Sequence, residues 1–133
     1  MSNSGTNVLL IVTALATSSH VFADYAIDGL LSNYRARGAG DFSAQRGQSM
    51  WTEVRGEGHA ESCAMCHTRD LTKPGKHIRT GKPIDALAPS VNPGRLTDAA
   101  KIEKWFLRNC KGTWDRECTD QEKGDFLLYI RSQ

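Results

Sequence analysis

An all-α single domain is the fold class that the sequence predicts, on three observations. Apolar residues recur at helical spacing in four stretches, no strand-like alternation stands out, and all four prolines fall between residues 68 and 96. The length of 133 residues suits one domain. Charged residues make up 24% and the formal net charge is +2, so no polybasic nucleic-acid surface is implied. There is no Ser/His/Asp constellation, phosphate loop or internal repeat.

The elements follow in order. Val8–Ala16 is an apolar run of nine, and Val21-Phe22-Ala23 then supplies small or neutral residues at cleavage positions. The run is too short to span a bilayer. Although no Lys or Arg precedes it, the stretch reads as an export signal over 1–23, leaving a single domain over 24–133. A monomeric periplasmic protein without stable membrane insertion is expected, in a setting that permits disulfides.

Ile27, Leu30, Leu31 and Tyr34 give the stretch 24–37 the spacing of a short amphipathic helix, ended by Gly38-Ala39-Gly40. A second helix is predicted over about 42–54, with Gly47 and Trp51 one turn apart and meeting the last helix near Leu128 and Tyr129. Residues 68–96 read as an ordered loop, unusually long unless it packs on something large. Thr97 is a plausible N-cap for a helix through Asn109, with Ile102, Trp105 and Phe106 on one face. Residues 111–117 suit a tight exposed turn, with Trp114 either covering an opening or anchored at the surface. Thr119-Asp120-Gln121-Glu122 has capping-box form and opens the last helix, where Phe126, Leu127 and Ile130 share a stripe.

Cys63-Ala64-Met65-Cys66-His67 is C-x-x-C-H, the attachment sequence of a c-type haem. Two thiols one helical turn apart each add to a vinyl group, and the next residue presents its imidazole to the iron. A thioredoxin-like site would want a βαβ context, and a zinc site from Cys63, Cys66, Cys110 and Cys118 would need an unusual second spacing. One covalent haem c also accounts for the long loop, which would wrap it.

The sixth iron ligand is less plain. Met1 lies in the predicted signal, Met65 sits between the haem cysteines, and Met50 precedes the motif, so no methionine follows where a distal ligand normally arises. His20 leaves with the signal, His59 is close to Cys63, and His77 is ten residues past His67. An open five-coordinate iron, His77 or an unconventional ligand all remain, and Asn109 by itself reads as a helix terminator. Arg79, Lys82, Arg95 and Trp105 are placed to meet haem propionates or to be solvated. The Pro74 carbonyl is a partner for the second nitrogen of His67.

The segment from Cys63 to Leu96, with "EKWFLRNC", "REC" and "T-x-x-EKGD" after it, resembles the sphaeroides haem protein (SHP) family of oxygen-binding class I cytochromes c. The likeness covers roughly residues 42–130. It implies the class I cytochrome c fold, helices packed around one covalently bound haem, with Cys63 and Cys66 as attachment points and His67 as proximal ligand. It further implies Asn109 as the distal ligand and a Cys110–Cys118 disulfide. Binding of O₂, NO and CO to ferrous iron and a dihaem cytochrome c as electron donor follow from the same likeness. Whether O₂ or NO is turned over is left open. A carboxamide oxygen is a hard, weak donor that favours Fe(III), so reduction would release Asn109 and free the site. A plain periplasmic electron carrier is the alternative.

Overall fold

The computed structural model describes residues 18–55 and 62–133. The predicted signal up to residue 17, and His59, lie outside them. Among the described residues, the elements run α1 (Ser18–Ala36), α2 (Ala44–Thr52), α3 (Ala64–His67), β1 (Gly75–Lys76), β2 (Pro83–Ile84), α4 (Ala99–Trp114) and α5 (Asp120–Arg131). None of these helices is long and apolar enough to cross a membrane.

The predicted all-α class holds, with one addition. β1 and β2 pair antiparallel, Gly75 opposite Ile84, inside the segment read as irregular. Two-residue strands are too short to show any alternation in sequence. α1 starts earlier than predicted, running through the expected cleavage point at Ala23, and stops before Gly38, whose φ of 99° suits glycine. α2 is capped by Ser43, which accepts from the Arg46 N–H. The Thr119–Glu122 capping box forms as read.

α4 differs most. Its cap is Asp98, not Thr97, and it continues past Asn109 to Trp114, where Asp115 turns left-handed at φ 53°. The supposed exposed turn at 111–117 is thus partly helix. The reason is burial: Cys110, Thr113 and Trp114 all turn inward, and Trp114 packs on Phe126 at 5.6 Å between ring centroids. Trp114 is therefore buried and not a surface anchor.

α2 and α5 make the tightest crossing. A Cβ on Gly47 would overlap the Asp125 backbone carbonyl and stand 2.8 Å from Tyr129 Cβ. The contact therefore falls on Asp125 and Tyr129 and not on Leu128. Asp125, only 2% exposed, accepts from Ser43 N at 2.7 Å and from Arg46 Nε at 2.8 Å, fixing α2 against α5. A buried carboxylate is stable only when its oxygens are matched in this way. Ile27, Leu30, Leu31 and Tyr34 of α1 form a second cluster with Ile102 and Leu127. There the Tyr34 hydroxyl donates to Glu103, which also accepts from Lys123 Nζ at 2.7 Å.

Glu122 closes the far end. Burial by itself would raise its pKa, but a bidentate pair with Arg116 and the Thr119 N–H hold it down to about 2. Because the folded value lies below the unfolded one near 4.5, its contribution is complete above pH 4.5 and disappears as pH falls toward 2. Urea midpoints measured across that window should fall less steeply for Glu122→Gln than for the parent. Equal slopes would mean the pair carries no stability.

Candidate haem-binding cavity

A cavity of about 550 Å³ opens between the C-x-x-C-H turn, the 77–96 loop and α4. Cys63, Cys66 and His67 line one part of it, and Phe106, Asn109 and Thr113 of α4 line another. Both cysteines are unpaired, whereas Cys110 and Cys118 form a disulfide with Cα atoms 5.6 Å apart. That bridge ties the last turns of α4 to the start of α5, directly beside Asn109.

Local structure explains the placement. α3 is a single turn, so Cys63 at its cap and Cys66 within it lie on one side, with His67 next. Thr68 then breaks the helix at φ 66°. Trp51 holds that break, its indole N–H donating to the Thr68 carbonyl at 2.8 Å while the ring sits 5.7 Å from that of His67. Sequence reading gave Trp51 only a packing role; the bond joins residues 17 apart and leaves no local signature. A Cβ on Gly75 would lie 3.0 Å from His67 Cα, so the hairpin backbone presses directly on the motif.

Burial pushes the Cys63 thiol up to about 12 and the His67 imidazole down to about 4, Arg95 and His77 adding to the latter. At neutral pH the imidazole is therefore uncharged, the form in which it ligates a metal. Its Nδ1 is buried with no partner, so the expected bond to the Pro74 carbonyl is not made.

His77, Arg79, Lys82, Arg95 and Trp105 also line the cavity. His77 Nδ1 accepts from the Thr80 N–H at 3.2 Å within its own turn. Arg95 is engaged by the Ala86 carbonyl at 3.1 Å. Met50 packs in the interior with Trp51 and does not line the cavity, and Met65 is exposed. A large apolar cavity with two free thiols and a neutral histidine at one side suits a covalently attached haem.

Helices enclosing such a cavity behind a C-x-x-C-H turn define a monohaem c-type cytochrome. Residues 37–130 match the model of a family described as "Domain of unknown function (DUF1924)". The chain is 37% identical over 126 residues to the cytochrome c-type protein SHP of Cereibacter sphaeroides, covering 93% of this chain and 97% of the relative. It belongs to this family of SHP-like c-type cytochromes. The structure of oxidized SHP, an oxygen-binding cytochrome c, matches with a TM-score of 0.75 at 38% identity, over 80% of this chain and 96% of that one. Oxidized cytochrome c'' from Methylophilus methylotrophus matches with a TM-score of 0.71 at 28% identity, over 86% and 96%.

Proposed function

We propose that this is an exported cytochrome that binds small diatomic gases, O₂, NO or CO, at a ferrous haem after Asn109 lets go of the iron. Cys63 and Cys66 hold the haem covalently, His67 is the proximal ligand, and a dihaem cytochrome c supplies electrons. The observation that carries this reading is the shared cavity: His67 and Asn109 both line it, while Met50 and Met65 do not. Two relatives lend support, one described as an oxygen-binding cytochrome c and one studied for haem-ligand detachment.

Haem, when bound, would supply a redox-active iron able to take a protein ligand or a gas. The chain's own residues decide which. Asn109 offers a neutral carboxamide oxygen, a hard donor that suits Fe(III) better than Fe(II). Because Asn109 lies inside α4 and the next residue is bridged to Cys118, any movement of its amide would be a side-chain rotation over a fixed backbone. The disulfide would thus hold the Asn109 backbone beside the cavity whether or not its amide is engaged.

Absorption spectra of ferric and dithionite-reduced protein, with and without CO, provide the test. Reduction is expected to convert low-spin to high-spin haem, with a new band on adding CO. A ferrous form that stays six-coordinate and ignores CO would instead fit the plain electron carrier. Asn109→Ala should give an open, high-spin ferric haem at neutral pH. Unchanged ferric spectra in that variant would move the ligand assignment to His77.

A further inference from the structure

Asn109 is not the only polar group that α4 brings to the cavity. Thr113, one turn further on the same face, also lines it and is 8% exposed. Its hydroxyl has no hydrogen-bond partner among the described residues. The Trp114 indole N–H beside it is likewise unpartnered but sealed in the interior, whereas the Thr113 hydroxyl is not sealed off. A hydroxyl on so buried a residue normally finds a partner, commonly a carbonyl of the preceding turn. Here it is held in reserve at the cavity wall.

Gly112 adds a second feature. It sits within α4, where glycine costs about 1 kcal/mol relative to alanine. It has no positive φ, and a Cβ there would meet nothing within 4 Å. Neither backbone conformation nor close packing calls for glycine. What it leaves is space, at a residue that lines the cavity one turn from Asn109.

We propose that Gly112 and Thr113 form a subsite for the gas. Gly112 supplies the room into which the diatomic and the displaced Asn109 side chain fit, and the Thr113 hydroxyl donates a hydrogen bond to a polar diatomic. This rests on the gas-binding reading above. Thr113 thereby favours O₂, whose outer atom becomes a good acceptor on binding, over CO, which accepts weakly.

The test uses intact ferrous holoprotein and compares O₂ and CO dissociation rates in three variants. Thr113→Val keeps the side-chain shape and removes the hydroxyl. It should speed O₂ release about fivefold to tenfold, the worth of one hydrogen bond, and leave CO within about twofold. Thr113→Ser restores the hydroxyl and should restore the parent O₂-to-CO ratio, which loss of packing alone would not allow. Gly112→Ala should raise the melting temperature, since it removes a helix glycine, yet slow association of both gases.

An O₂-to-CO ratio in Thr113→Val equal to that of the parent overturns the role of Thr113. Unaltered association in Gly112→Ala overturns that of Gly112. A parent protein that takes up neither gas defeats the gas-binding reading and this inference together, whereas a gas-binding parent with indifferent variants defeats only the inference.

Discussion

Substituting both Cys63 and Cys66 by serine should yield a chain that loses its haem on mild acid extraction and, without it, loses its cooperative fold. The size of the cavity sets this expectation. At roughly 24 cal/mol per Å³, a dry void of about 550 Å³ would cost about 13 kcal/mol. A domain's whole stability is of order 5–15 kcal/mol. Flooding the cavity with water lowers that cost but wets the faces of Leu87, Leu96 and Phe106 that line it. Either way the 77–96 loop would keep its anchor at Ala88, buried in the core with its N–H on the Leu71 carbonyl, but would lose the large surface that Leu87 and Leu96 face across the cavity. Haem-free protein should therefore keep part of its far-UV helical signal and lose its sharp thermal transition. A haem-free double variant that melts as sharply as the parent would show that the helices, and not the cofactor, carry the fold.

Gly47→Ala should lower stability by about 2–3 kcal/mol, or roughly 10 °C in melting temperature. Two effects oppose each other. Alanine gains about 1 kcal/mol in helix propensity over glycine. Against that, the new methyl would overlap the Asp125 carbonyl and lie 2.8 Å from Tyr129 Cβ. The obstacle is helix backbone, which cannot rotate aside as a side-chain tip would. Separation of α2 from α5 would also stretch the Arg46 and Ser43 bonds to Asp125, exposing a carboxylate that is otherwise 2% exposed. Because Trp51 on α2 holds the Thr68 carbonyl, the disturbance should reach the haem turn. A melting temperature at or above that of the parent would mean that the crossing is looser than drawn.

Much of the site was legible because its chemistry is local. Cys63, Cys66 and His67 lie within one turn, so their joint purpose can be read from spacing alone. The capping box at Thr119 and the apolar stripe of α1 are likewise matters of neighbours three or four residues apart. Asn109 was harder. Asparagine and a nearby glycine are ordinary signs of a helix end, and they suggested that α4 stops there. Burial of Trp114 against Phe126 and Cys110 in the core overrides that local preference, so the helix carries Asn109 in its body. Nothing nearby in the sequence announces Phe126 as the partner.

The sequence by itself therefore determined the mostly helical class and the haem motif, because both depend on short-range periodicity and covalent spacing. The absence of a usable methionine was equally plain from counting. Tertiary structure alone decided which groups share the cavity with His67. It placed Asn109 over a fixed helical backbone, left Thr113 with an unclaimed hydroxyl, and made Trp51 the support of the haem turn. These are long-range outcomes, set by how α4 packs against α5 and the loop, and burial there outweighs the weak local signals for ending a helix.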